Sequence, residues 1–356
     1  MHLIYPYRNR EIQRVKNSLD SLARQVVNDF RVYFVNYGSA EKYTSEIKDL
    51  CREYDFVKYS YCATECQPWN KSRALNSVIK KLDAGFCFVA DIDMIFHPRF
   101  VEKAIQLQET EKTVYFQVGF LEEQEKTEEK SFEDYKNYRK SNYEATGLSM
   151  FPVKVLQELR GFDEFYHFWG AEDTDMHVRL KNAGYEVDYY DNEILMLHQW
   201  HPSYRSNESN KLMEDFQING IVQLNHQHLK FAKQHKVTKV NLNGWGETHS
   251  RKEIERLENV QISFEFTNEK RQIDDLLFGQ LPKFRNEIVK IAIKRDFFYN
   301  SPKYKLKKLA GKKVPEFYSQ KQQNDKILLH LISFYRDVPY IYQIQDCYIT
   351  FAINIK

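Results

Sequence analysis

No stretch of the chain approaches the roughly 18–20 consecutive apolar residues that a membrane-spanning helix needs. The first apolar run, from Leu3, ends at Tyr7 and meets Arg8 and Arg10, so it is too short for a secretion signal and the fold is expected to start at once. Cysteine is sparse: Cys51, Cys62, Cys66, Cys87 and Cys347 form an odd, scattered set. That pattern excludes a disulfide framework and reads as reduced thiols in a cytoplasmic protein. Cys62 and Cys66 would supply two zinc ligands, but no second pair completes a site. The formal net charge is only +2, with a pI near 8.1, so no global field argues for nucleic acid. There is no internal repeat and no low-complexity tract apart from the charged segment Glu122–Lys140. A glycine-rich phosphate cradle is also missing after the first apolar run, where Arg8-Asn9-Arg10 stands instead.

What is present is enough for a substantial core. Hydrophobic residues make up 42% and aromatics 15% of 356 residues, sufficient for one large domain plus an extension, or for two domains. His2–Tyr7 reads as a strand closed by Pro6. A helix follows with Ile12, Val15, Leu19, Leu22 and Val26 on one face. Strands are predicted at Arg31–Val35, Phe56–Tyr61, Phe86–Ala90, Thr113–Phe120, Gly147–Phe151, Glu186–Tyr190 and Ile194–Leu197. Helices are predicted around Ile47–Cys51, at Asn70–Leu82, at Phe100–Gln108, from Pro152 to Gly161, and at Glu172–Asn182. Such alternation implies a parallel sheet with right-handed crossovers. Glu122–Asn142 breaks the pattern and reads either as a solvated surface insertion or as a substrate lid. After about residue 225 the alternation is lost. Val260–Phe266 suggests one strand, while Ile273–Ile293 and Lys326–Tyr335 look helical. Domains are accordingly expected at 1–225 and 226–356, the second mostly helical.

Chemistry concentrates after the strand ending at Ala90. Asp91 and Asp93 follow at once, and a buried strand cannot hold two unpaired carboxylates, so they belong at its open end. In open α/β sheets that end is where ligands bind. Carboxylates two residues apart can face one side of an extended segment and suit a hard divalent cation that holds a diphosphate. Three other stretches point to the same end. Arg8 and Arg10 follow the first strand, and arginine forks suit a nucleotide diphosphate. Trp169-Gly-Ala-Glu172-Asp173 precedes a helix, where carboxylates ordinarily serve as caps. An aromatic ring beside them also offers a platform for a sugar, with one carboxylate as general base. His198 and His201 bracket Gln199-Trp200 at the end of a late strand, and either can be a third metal ligand.

Pro6-Tyr-Arg-Asn-Arg10, Asn70-Lys-Ser-Arg-Ala-Leu-Asn76, Val89-Ala-Asp-Ile-Asp93, Gly161-Phe-Asp163, Trp169-Gly-Ala-Glu-Asp173 and His198 occur in that order over about residues 3–205. Together they resemble the metal-dependent family 2 glycosyltransferases of GT-A fold, in particular the β-1,4-galactosyltransferases and bacterial chondroitin-synthase-type enzymes. The resemblance implies a Rossmann-like, mostly parallel α/β sheet flanked by helices, with a mainly helical C-terminal extension. It places Pro6, Arg8, Arg10, Lys71, Arg73, Asp91 and Asp93 at the UDP-sugar donor. Mn²⁺ or Mg²⁺ would sit on Asp93 with His198 or His201, His198 being favoured because it directly ends the apolar strand. Trp169 and Glu172 would hold a glycan or lipid-linked glycan acceptor, and Asp173 would be the base of an inverting transfer in bacterial surface polysaccharide synthesis. The galactosyltransferase pattern has Trp-Gly-Trp before its carboxylates, whereas here His167-Phe-Trp169 stands there. The alternatives are a non-catalytic nucleotide-sugar-binding subunit of a polysaccharide assembly and a nucleotidyltransferase. The basic stretch Lys283–Lys326, with Leu309, Phe317 and Tyr318 interleaved, suggests contact with an anionic acceptor or with anionic lipid at the inner face of the cell membrane.

Overall fold

The first strand is apolar on both faces, and the structure buries both. In a computed structural model, which describes residues 1–125, 130–202, 216–345 and 348–355, Leu3, Tyr5 and Tyr7 join one core cluster. Ile4, between them, joins the cluster on the opposite face. This is the period-2 alternation of a strand covered on both sides. Cys347 and residues 126–129 of the charged segment lie outside the described residues.

In chain order the first part comprises β1 (His2–Tyr7), α1 (Ile12–Ala23), β2 (Arg31–Tyr37), α2 (Glu41–Arg52), β3 (Val57–Cys62), α3 (Lys71–Ile79), β4 (Phe86–Val89) and β5 (Met94–Phe96). It continues with α4 (Phe100–Gln106), β6 (Lys112–Phe116), β7 (Gly119–Leu121), β8 (Tyr138–Lys140), β9 (Ser149–Pro152), α5 (Val153–Glu158), α6 (Glu172–Asn182), β10 (Glu186–Tyr190), β11 (Met196–His198) and α7 (Ile221–Gln234). The main sheet has the order β10-β6-β9-β4-β1-β2-β3. Its strands are parallel except β9, which runs antiparallel to β4 and β6. Val15, Leu19 and Leu22 of α1 pack on one face, and Ala74, Leu75, Leu156 and Met176 from α3, α5 and α6 pack on the other. The expected α/β architecture, a mostly parallel sheet flanked by helices, is present.

Pro6 does not close β1, which runs on to Tyr7. Ile4 accepts from Ala90 N–H at 3.2 Å, and Pro6, two residues on, turns its backbone nitrogen to the same neighbour. Pairing with β4 stops at Ile4, so the missing N–H falls where that neighbour has ended. The single strand read at Thr113–Phe120 is two strands. β6 stays in the main sheet, while β7 crosses to a second sheet of order β5-β11-β7-β8. β5 itself, three residues long, was not foreseen.

Two compact units emerge. Of the described residues, the first holds Met1–Glu65, 69–202 and Ile221–Thr248, and the second holds Cys66–Pro68, 216–220 and 249–355. The first unit therefore runs past the expected boundary at residue 225. Its last segment is tied in by Asn241, whose amide donates to Phe162 O at 2.7 Å and accepts from Glu164 N–H at 3.0 Å. The second unit adds a sheet to the helices expected of the extension. Its helices, which include Arg251–Asn259 and Gln320–Phe334, accompany a four-stranded sheet of Phe264–Thr267, Glu287–Lys294, Tyr348–Ile355 and Tyr340–Gln345. The supposed helix Ile273–Ile293 widens into a π-helical turn over Leu276–Gln280 and ends in a 3-10 turn at Leu281–Lys283. Asn286 then takes a left-handed backbone (φ 54°), and Ile288, Val289, Ile291 and Ile293 form a strand. No described helix is long and apolar enough to cross a membrane.

Gly161 ends the turn after α5 with φ +68°, and an added Cβ would lie 2.1 Å from Asn76 Oδ1. Gly161→Ala is expected to cost ~2–4 kcal/mol through backbone strain and a displaced buried amide. A urea midpoint equal to that of the parent chain would show that Asn76 can move aside.

Candidate active site

The central feature is a fork in the chain. β4 leaves the main sheet after Val89, and Asp91-Ile92-Asp93 carries the backbone into β5 of the second sheet. β5 pairs antiparallel with β11, placing His198 opposite Met94 and so next to Asp93. His201 Nε2 lies 3.1 Å from Asp93 Oδ2, and His198 Nε2 lies 3.6 Å from Oδ1. Burial pushes the Asp93 carboxyl up, but the two imidazoles outweigh it and hold it down at about 2. The His201 imidazole is raised by its hydrogen bond to Asp93. Its Nδ1 lies 2.9 Å from Pro202 O, which leaves Nε2 toward the carboxylate.

The structure thus brings both candidate histidines to Asp93. One ligand atom from each of the three residues lies within 4.8 Å of the others, the sole such cluster among the described residues. Among the described residues, Cys62 and Cys66 belong to no such cluster. The donor set fits a divalent cation: two imidazole nitrogens and a carboxylate whose buried Oδ1 makes no hydrogen bond.

Gln199, which sequence reasoning passed over, locks this geometry. Its N–H donates to Asp93 O at 3.0 Å, and its amide donates to Asp93 O and Arg14 O and accepts from Asn17. Its position between two histidines was the only available signal.

A second cluster forms on Lys71, at the first turn of α3. Its Nζ lies 2.8 Å from Asp91 Oδ1 and 3.7 Å from Glu172 Oε1. Burial alone would lower this ammonium, but Asp91 and Glu172 raise it, so it stays charged. Glu172 is raised as well: burial lifts its carboxyl above the usual range despite Lys71, and Asp173 adds to the rise. The Lys71 bridge ties the fork loop to the start of α6, where Ala171 takes a left-handed backbone (φ 75°) and no side chain caps the helix. Glu172 and Asp173 thus occupy the first two helical positions rather than the N-cap. Asp173 Oδ1 accepts from the adjacent Thr174 N–H at 2.7 Å. With Lys71, Thr146 and Gly147 the two carboxylates line a small cavity. Asp175, by contrast, is structural: it is buried and paired with Arg179 at 2.7 Å.

Arg73 departs from its expected place at the donor. Its guanidinium is 3% exposed and pairs with Glu164 at 2.7 Å. Glu164 also accepts from Asn76 and Gly246 N–H. A helix face that looked cationic to the sequence is turned inward, and Arg73 anchors the loop that leads to Trp169. Asn225 of α7, also missed, donates to His167 O and Trp169 O at 3.2 and 3.1 Å. Trp169 keeps its ring 41% exposed. Arg8, half-buried, donates to Glu65 O at 3.2 Å, Arg10 is exposed, and Pro6 is buried.

Residues 3–156 match the glycosyl transferase family 2 model, and residues 129–201 match a model described as the N-terminal domain of galactosyltransferase. The chain carries glycosyltransferase domains. The resemblance read from the sequence is borne out at this level, and with it the assignment of the chain as an enzyme of glycosyl transfer. No curated protein sequence matches. Among solved structures, TarS of S. aureus in complex with UDP-GlcNAc is 13% identical, with TM-score 0.43 over 66% of this chain and 68% of that one. The mannosyltransferase PcManGT of Pyrobaculum calidifontis, in complex with GDP-Man and Mn²⁺, is 15% identical, with TM-score 0.42 over 66% and 71%. GalNAc-T7 with UDP, GalNAc and Mn²⁺ is 9% identical, with TM-score 0.43 over 56% and 43%.

On α6, beyond the two carboxylates, lies His177, whose Nε2 is 2.9 Å from Ser149 Oγ. Burial lowers its imidazole from 6.5 to about 4, although Asp173 pulls it upward. Between those two values the unfolded chain binds more protons than the folded one, so stability falls as pH drops through that window, by ~3 kcal/mol in full. His177→Gln is expected to flatten this limb in denaturant midpoints measured from pH 7 to pH 4. An unaltered slope would assign the acid limb to other groups.

Proposed function

We propose that this chain is an inverting, metal-dependent glycosyltransferase. It moves a hexose or N-acetylhexosamine from a UDP-sugar to a hydroxyl of a glycan or lipid-linked glycan. One observation carries the reading: the fork after β4 holds a cation-competent cluster, Asp93 with His198 and His201, and the Lys71 bridge ties that same loop to Glu172, next to Asp173. The donor's diphosphate belongs at the fork, with Arg8 and Arg10 following β1 as its guanidinium partners. Asp91, held by Lys71, faces the ribose and donor sugar. Trp169 offers a ring face to the acceptor, and Glu172 holds acceptor hydroxyls.

Asp173 takes the proton of the acceptor hydroxyl. The freed oxygen attacks the anomeric carbon, whose bond to the phosphate oxygen breaks on the opposite side, and UDP leaves with that electron pair. A bound Mn²⁺ or Mg²⁺ would supply Lewis-acid neutralisation of charge on the leaving diphosphate. Holding both sugars in line contributes much of the remaining acceleration. The chain acts in the cytoplasm, peripheral to the inner face of the cell membrane, in synthesis of a surface polysaccharide. The domain beyond Thr248 serves acceptor or membrane contact.

Asp173→Asn is expected to retain UDP-sugar binding by thermal shift while transfer falls by roughly 10²–10⁴-fold. Turnover at the parent rate would remove Asp173 from the base role. EDTA is expected to abolish UDP release from a panel of UDP-sugars with acceptor oligosaccharides, and Mn²⁺ to restore it. Asp93→Ala should lose that response, and full activity without metal would reject the cation site.

A further inference from the structure

The second unit carries an amphipathic helix whose apolar side faces away from the protein. Helix Pro302–Leu309 begins with Ser301, whose hydroxyl accepts from Tyr304 N–H, followed by Pro302 at its first turn. Tyr304 anchors it inward: it is buried and packs on Phe298 at 5.4 Å and Phe317 at 5.6 Å between ring centres. At 3.6 residues per turn, Leu306 and Leu309 fall on the side opposite Tyr304. They are 66% and 89% exposed, and Phe297, in the turn before the helix, is 101% exposed. Asp296 fixes that turn by accepting from Phe298 N–H at 2.7 Å. These three are among the most exposed large apolar side chains of the described residues, and they fall within one stretch of 13 positions, 297–309.

Charge surrounds them. Between Lys294 and Lys313 there are eight basic residues and one acidic residue, Asp296. Lys303 and Lys305 flank the leucine stripe, and Lys312 and Lys313 follow the helix. Lys307 and Lys308 lie nearer the protein body, over the rings of Phe298 and Tyr304 at 5.7 and 6.0 Å. A surface that binds only a polyanion has no use for leucines pointing into water. A surface that binds only an apolar partner has no use for so many lysines. The combination fits the boundary between anionic headgroups and acyl chains.

We propose that Phe297, Leu306 and Leu309 form a wedge that enters an anionic lipid bilayer while the surrounding lysines engage its headgroups. The proposal rests on the reading of the acceptor as a membrane-borne glycan, and it names the side chains that would make the contact.

Co-sedimentation of the full chain with vesicles tests it. Vesicles of phosphatidylglycerol and phosphatidylcholine are expected to pull the chain down, and pure phosphatidylcholine vesicles are not. The triple variant Phe297→Ser, Leu306→Ser, Leu309→Ser should lower the bound fraction roughly tenfold at equal thermal stability. Replacing Lys303, Lys305, Lys312 and Lys313 by Gln should do the same and remove the preference for anionic lipid. No sedimentation of the parent chain with either vesicle would overturn the proposal, as would a triple Ser variant that binds like the parent. Retention on a sulfated polysaccharide without vesicle binding would overturn it in favour of a polyanion site. UDP release with a soluble acceptor separates the two readings. Vesicle binding without turnover of any UDP-sugar sinks the enzymatic assignment alone, and turnover without vesicle binding sinks the wedge alone.

Discussion

The site depends on a ladder of three residue pairs. β5 and β11 are short, yet their antiparallel register sets His198 against Met94 and fixes which carboxylate the imidazoles meet. A slip of one residue would turn His198 to the other face of the second sheet. Gln199 guards against that slip because it is bound to the backbone of Asp93 by two separate groups. Everything cationic in the proposed chemistry hangs on this register. The apolar residues around it, Met94, Met196 and Leu197, are buried to give the ladder a dry setting.

The second constraint is a buried ionic core beneath the loop that carries Trp169. Arg73 and Glu164 are almost wholly removed from water, and Asn76, Asn70 and the backbone of Gly246 complete their hydrogen bonds. A buried pair adds little net stability compared with a packed apolar pair, but losing one partner strands the other. Its effect here is to hold one geometry for the loop 161–169, including the left-handed turns at Gly161 and Phe168. Lys71 lies two residues before Arg73 in the same helix. A single element therefore anchors the Trp169 loop from within and bridges the Asp91 and Glu172 segments.

Much of this was legible in the sequence, and the gaps have physical causes. Strands covered on both faces announce themselves as apolar runs, so β1, β2 and β4 were found, as were the amphipathic α1 and α3. The Asp91/Asp93 fork was legible because carboxylates after a buried strand have few places to go. Arg73 was misread because a cation on a helix looks the same in sequence whether it meets a ligand or a buried glutamate. The break between β6 and β7 was invisible because both halves are apolar and only the partner sheet differs. Gln199 and Asn225 were missed because polar amides carry no periodic signal; their roles exist only once distant segments meet. In the second unit the strand Glu287–Lys294 was absorbed into a helix because its apolar positions satisfy both periods, and the left-handed Asn286 that separates them is a backbone fact.

Pro6 stands at the origin of the fork. A residue able to donate there would extend an attraction along the β1–β4 seam and keep the two backbones side by side. An imino acid offers no donor to the departing strand, and it stands where the sheet opens and its connections reverse direction. The opening thus coincides with an omission in the hydrogen-bond lattice, written into the chain by its sixth residue.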